Sequence, residues 1–322
     1  MDSKQDAEVP SGRLLQPALF DVGLDGHLRG YVGVMPELTG DSSLDVARYW
    51  FRRYLEQANR PANTVKSYSY DLALFEMLIG PKSVKRVTRR DVAQFLDDSR
   101  TRSTRKRRLT SLSTFFKFLI TTAKVLQNDP SADFYPEHIP LKTPRPLFAE
   151  EQSRLLKAAE EDGPRAHAAI WLMLRLGLTR GEVLQLRADH IDRSDPNNPV
   201  VYVFYEPGRV RGRERHFSAG AEFATILQRL EEDEGSKETL ISILPQSMNK
   251  LVDRVAQAAN LNRPVSPQTL RDTFAVEQAR SGASEDDLLQ LLGLADDVRN
   301  RLSVQRYLKL AQPPLLSEQP AT

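Results

Sequence analysis

Six cations fall within nine residues at Arg100, Arg102, Arg105, Lys106, Arg107 and Arg108, interleaved with Thr101, Ser103 and Thr104. Like charges at that density repel one another unless an anion sits among them. At the entrance of a predicted helix, where free N–H groups point outward, the natural anion is a phosphate. Such a cluster suits gripping a nucleic-acid backbone better than reading bases. A solvated face of a helical bundle is the blander expectation for the same side chains. The chain has no cysteine and only five scattered histidines without ligand spacing, so disulfides, thiolate metal sites and cysteine nucleophiles are excluded. Chemistry is therefore expected on oxygen, without a metal or other cofactor.

The net charge of +2 over 322 residues conceals an uneven distribution. Residues 1–40 carry 3 basic and 6 acidic side chains, residues 41–145 carry 20 and 11, and residues 146–322 carry 22 and 26. The basic excess of +9 sits in one third of the chain, the footprint of a segment that displaces counterions from a phosphate backbone. At 40% hydrophobic and 27% charged residues the composition is that of globular domains, and no apolar run approaches a membrane span. The first residues lack the basic start and apolar run of a secretory signal, so a cytoplasmic, nucleoid-associated protein is expected, with no membrane partner.

The elements that must position these residues follow from apolar spacing. Residues 1–40 have no sustained period and read as an arm. From Ser43 onward Leu44, Ala47, Trp50, Phe51, Tyr54 and Leu55 predict a first helix. Asn63-Thr64 opens a second, with Val65, Tyr68, Leu72, Phe75 and Leu78 as its inner stripe, and Thr88 caps a third. Thr104 to Ala123 makes a fourth, and Asp129-Pro130 closes a helical domain over 41–130. Pro136, Pro140, Pro144 and Pro146 stiffen a linker over 131–147. A second, mostly helical domain over 148–310 then runs from a helix at Ala149 to a last one expected at Ser303–Leu310, and a tail follows over 311–322. It is interrupted by one small hairpin, Val200–Tyr205 returning at Arg215–Phe217 around an arginine-rich turn.

Several stretches resemble the tyrosine recombinase, or phage integrase, family in order and kind. Leu176-Gly177-Leu178-Thr179-Arg180-Gly181-Glu182-Val183-Leu184-Gln185-Leu186-Arg187 is similar to the family box TGLRxxELxxLR. Ser266 to Ala275 is similar to HxLRHTFA, Leu291-Leu292-Gly293-Leu294 to LLGH, and Thr64 to Leu72 to the core-binding signature TxxxYxxDL. The resemblance covers about residues 43–310. It implies a mainly α protein: a four-helix SAM-like core-binding domain, then a recombinase catalytic domain with a small β-hairpin. It also implies a C-shaped clamp on double-stranded DNA that works as a multimer of like or paired subunits. Lys66 joins the six cations of the fourth helix as an expected DNA contact.

In the implied reaction Tyr307 attacks a backbone phosphate, leaving a 3′-phosphotyrosyl link, while forked guanidiniums hold the charge of the phosphorane. Arg271 falls on one family arginine. The other falls on Thr179, and Arg180 is the expected substitute, swinging back from the next position. Gln268 stands where histidine is usual, keeping a hydrogen-bond donor without a base. Leu294 replaces the LLGH histidine. The hairpin has no lysine, and Arg211, between Arg209 and Arg213, is expected to steady the departing 5′-oxygen. An ion pair with Glu182 is the structural alternative for Arg271, and a packed core tyrosine for Tyr307. Two functions follow: a strand-transferring recombinase, or a clamp that has kept DNA binding and lost cleavage, acting as an architectural or regulatory factor.

Overall fold

A computed structural model describes residues 36–136, 139–205, 214–235 and 237–312, and the chain divides between Pro140 and Leu141 into two compact units. In the first, four helices bury a core rich in phenylalanine: α1 (Leu44–Gln57), α2 (Ala62–Ile79), α3 (Arg89–Asp97) and α4 (Arg102–Lys117). Phe51 meets Phe115 edge-on at 5.3 Å and Phe75 meets Phe95 at 5.2 Å, so one aromatic contact joins α1 to α4 and another α2 to α3. Thr88 opens α3 with a reciprocal cap, its hydroxyl accepting from Asp91 N while Asp91 accepts from Thr88 N. The fourth helix begins two residues earlier than expected and, past Lys117, widens into a π turn over Phe118–Thr122. In α2 the expected inner position Leu78 is 37% exposed, because the last turn points Ile79 at the core instead.

The second unit is built around α6 (Pro164–Arg175), whose residues Ala168 to Leu174 are all buried, as expected of a central helix surrounded by others. It packs on α5 (Ala149–Asp162), α8 (Gly220–Glu234), α9 (Pro245–Ala258) and α10 (Pro267–Arg280), with Trp171 stacked on Phe223 at 4.9 Å. Between α7 (Arg180–Gln185) and α8 lies an antiparallel sheet in the order β1 (Ile191–Asp192), β2 (Val200–Val203), β3 (Arg215–Ser218). The hairpin was expected; the two-residue β1, which pairs Ile191 with Val201, is too short to leave a periodic signature. Strand β2 ends at Val203 rather than Tyr205. The last helices of the described residues are α11 (Glu285–Leu291) and α12 (Val298–Ala311). The last helix starts five residues before its expected beginning because Asp297 caps it, accepting from Asn300 N at 2.8 Å.

Gly177, at the corner between α6 and α7, has φ +61°, and a Cβ there would lie 2.2 Å from Phe274 Cδ1. Only glycine lets this corner lie against α10, and the contact delivers the Gly177 carbonyl to Arg271.

Candidate active site and nucleic-acid interface

In the second unit three elements converge on Glu182. Thr179 caps α7, its Oγ1 accepting from Glu182 N at 3.2 Å while Glu182 Oε2 accepts from Thr179 N at 2.7 Å. The same carboxylate receives both forks of Arg215 from β3, Nη1 to Oε1 and Nη2 to Oε2, each at 2.9 Å, and the hydroxyl of Tyr205. Arg271 on α10 stands 3.8 Å from Oε2. Burial alone would raise the Glu182 carboxyl. The hydrogen bonds and charge of Arg215, the charge of Arg271 and the Tyr205 hydroxyl overcome it and bring the pKa down to about 2. Arg271 is 7% exposed, and its Nη1 and Nη2 donate to the carbonyls of Gly177 and Leu292. Burial lowers its pKa while Glu182 works against that shift.

Tyr307 reaches this cluster from α12, which packs on α10. Its hydroxyl donates to Asp272 Oδ1 at 2.7 Å, and Gln268 Nε2 donates to the same oxygen at 2.8 Å. Burial raises the Tyr307 pKa, and the charge and hydrogen bond of Asp272 raise it further, against the pull of Arg271 and Arg306. The structure thus brings Tyr307, Arg271 and Gln268 together through residue 272. Asp272 is a carboxylate at the second histidine position of the HxLRHTFA-like box, a signal that was present in the sequence beside Arg271 and was missed. Arg215 and Tyr205 were missed for a different reason: nothing local marks their pairing with Glu182.

Arg180 does not join this group. As the first residue of α7 it points its Nη1 at Asn249 Oδ1 on α9, 3.1 Å away, because the capping role of Thr179 fixes the start of the helix. Leu294 packs against the hydrophobic core. Arg211, with Arg209 and Arg213, lies outside the described residues. Among the described residues no group of three or more His, Asp or Glu side chains is arranged as metal ligands.

The basic entrance of α4 is split in two by the fold. Lys66, Arg100, Arg102 and Lys106 are exposed, and Arg105 is half-buried. Thr101 caps the helix by accepting from Thr104 N at 3.1 Å, leaving the cluster around the positive end of the helix dipole. Arg107 turns to the fully buried Asp71, the acid of the TxxxYxxDL-like stretch, which also accepts from Ser111 Oγ at 2.7 Å. Arg108 is 8% exposed: it donates to the Phe95 carbonyl at 2.8 Å and to Asp98 at 3.0 Å, and lies 4.3 Å over the Phe95 ring. Arg108, expected as a DNA contact, has its guanidinium turned to the interior of the bundle.

Comparison with known proteins agrees with both units. A sequence model of the phage integrase N-terminal SAM-like domain matches residues 48–122, and that of the phage integrase family matches residues 146–312. A tyrosine recombinase of Thermosipho africanus is 27% identical over 259 residues, covering 76% of this chain and 89% of the relative. The tyrosine recombinase XerD of Ralstonia nicotianae is 28% identical over 256 residues, 73% of this chain and 80% of its own. Among solved structures, the lambda integrase tetramer bound to a Holliday junction superposes with a TM-score of 0.67 at 16% identity, covering 87% of this chain and 81% of that one. The XerH recombinase bound to its difH substrate gives 0.57 at 17% identity, covering 82% and 84%.

Proposed function

The chain belongs to the phage integrase family of tyrosine recombinases, and from that premise we propose that it binds duplex DNA on the nucleoid and breaks and rejoins strands through Tyr307. The Tyr307 oxygen attacks a scissile phosphate, the P–O5′ bond opens, and a 3′-phosphotyrosyl link stores the bond energy until a 5′-hydroxyl reverses the step. No nucleotide is consumed. Arg271 supplies charge to the phosphorane. Two backbone carbonyls hold its guanidinium, so the N–H groups they leave are preorganised rather than recruited from solvent. The entrance of α4 grips the backbone, and several copies act together on paired sites, as in the lambda integrase tetramer bound to a Holliday junction.

The observation that carries the reading is the hydrogen bond from Tyr307 to Asp272, which ties the phenol of α12 to the residue next to Arg271. A non-cleaving DNA clamp is the second reading. It is favoured by the hydrogen bond of Arg180 to Asn249, which leaves position 179, the family's other arginine, to a capping threonine. The test is to recover a bound sequence from a pool of random duplexes, nick it, and look for a covalent adduct. An adduct made by the wild-type chain and lost in Tyr307→Phe supports strand transfer. Salt-sensitive binding with no adduct supports the clamp.

A further inference from the structure

The pocket lacks the imidazoles that its family boxes carry at 268 and 272, yet a phenol that attacks phosphorus must lose a proton. An ordinary tyrosine, with a pKa near ~10, is almost wholly protonated at neutral pH. Here burial and the neighbouring carboxylate push it further up, so no standing phenolate is available. The proton must leave as the O–P bond forms, to a base already within hydrogen-bond reach. Gln268 cannot take it, because an amide holds no basic site.

Among the described residues, the group to which the Tyr307 hydroxyl is hydrogen-bonded is Asp272, at 2.7 Å. Resting on the strand-transfer reading above, we propose that Asp272 is the catalytic proton acceptor for Tyr307, a carboxylate doing the work of the missing histidine. As the Tyr307 oxygen bonds to phosphorus its proton passes to Asp272 Oδ1, and the 5′-oxygen departs with the electron pair of the P–O5′ bond and takes a proton from solvent. On rejoining, a 5′-hydroxyl attacks the phosphotyrosine and the Asp272 carboxylic acid returns its proton to the tyrosine oxygen. Gln268 holds the acceptor in place by donating to that same Oδ1 at 2.8 Å.

A carboxylate next to a phosphate is repulsive, and the surroundings are built to offset it. Arg271 from α10 and Arg306 from α12 both act electrostatically on Tyr307, and the Arg306 guanidinium lies 6.0 Å over the phenol ring. Behind Arg271 stand Glu182 and Arg215, already paired with each other. The other helices packed on α10 bring Arg175 from α6, engaged with Gln152, and Glu285 from α11, engaged with Arg301.

The test uses the full chain and nicked duplexes of the selected sequence, with a bridging 5′-sulfur stepped through the central base pairs. A thiolate leaving group needs no proton, so the cleavage rate then reports on the nucleophile alone. Asp272→Asn keeps the shape and a hydrogen-bond acceptor but cannot take a proton. It is expected to cut the rate about 10²-fold or more and to convert a nearly flat profile between pH 6 and 8 into one climbing with hydroxide. Asp272→His is expected to restore most of the rate, with an inflection near ~6.5. If Asp272→Asn forms adduct as fast as the wild type, or more slowly with an unchanged pH profile, the assignment is overturned and the role of Tyr307 stands. If the wild-type chain forms no adduct at all, both fall together.

Discussion

Glu182 and Arg215 meet in parallel, each guanidinium Nη donating to its own carboxylate oxygen at 2.9 Å, with the two side chains 6% and 3% exposed. The pair joins α7 to β3, and Arg271 leans on the same carboxylate from α10. One buried carboxylate therefore faces two buried guanidiniums. A buried ion pair contributes little over an apolar replacement, but removing one member leaves the rest uncompensated.

Replacing Glu182 by glutamine is expected to destabilise the second unit by about 3–5 kcal/mol at neutral pH, read from urea unfolding. The pH dependence has a definite sign. A carboxyl held at about 2 in the folded chain against an ordinary 4.5 contributes stability above pH 4.5 and loses it as pH falls toward 2. The gap between the wild type and Glu182→Gln should therefore narrow by about 2 kcal/mol between pH 6 and 3. A gap that stays constant over that range would show that the carboxyl titrates alike in both states.

Gly177→Ala tests the corner that feeds Arg271. A methyl at φ +61° would overlap the Phe274 ring, so either the corner or α10 must move. The expected cost is about 2–4 kcal/mol in unfolding free energy. Adduct formation should fall as well, because the Gly177 carbonyl that orients Arg271 moves with the corner. Thermal midpoints that match the wild type would mean the corner yields freely.

Much of this arrangement was legible from spacing. Stripes such as Leu44, Ala47, Phe51 and Leu55 gave α1, and the cap residue Thr88 gave the start of α3. The start of α12 was not legible: Val298 is 77% and Leu302 50% exposed, so its first turns carry apolar residues on the wrong face, and the buried positions begin at Val304. Of the candidate site, Arg271 and Tyr307 could be named as candidates because each falls in or beside a local box. The site was opaque where partners come from afar, since the Arg215–Glu182 pair leaves no mark on the intervening sequence. The six-cation cluster misled in part, because a charge run shows which side chains exist and not which of them turn inward, as Arg108 does.

That division of the α4 cations makes two kinds of variant separable. Arg105→Ala and Lys106→Ala are each expected to weaken binding to any duplex and to reduce the slope of log affinity against log salt by about one. Arg108→Ala removes the contacts to the Phe95 carbonyl, Asp98 and the Phe95 ring, so it should lower stability by about 2–3 kcal/mol, with a salt slope near the wild type wherever the bundle remains folded. Fluorescence-anisotropy titrations from 50 to 200 mM salt, on the order of a fourfold range, give the slopes. If Arg108→Ala flattened the slope as Lys106→Ala does, Arg108 would have to leave the interior on binding.

Thr179 gives the sharpest test of what the pocket lacks. Its hydroxyl caps α7, so Thr179→Arg sacrifices the hydrogen bond to Glu182 N and should cost about 1 kcal/mol of stability. The new guanidinium would begin one residue before Arg180, beside the Glu182 and Arg271 cluster, where a second donor to the phosphorane is worth about 10²-fold in rate. A less stable chain with faster adduct formation is the expected outcome. Arg180→Ala, which among the described residues removes a hydrogen bond to Asn249, should leave the adduct rate within about threefold and stability within about 0.5 kcal/mol. Should Arg180→Ala instead slow cleavage about 10²-fold, Arg180 must abandon Asn249 when DNA binds and turn into the pocket, and Thr179→Arg would then add little.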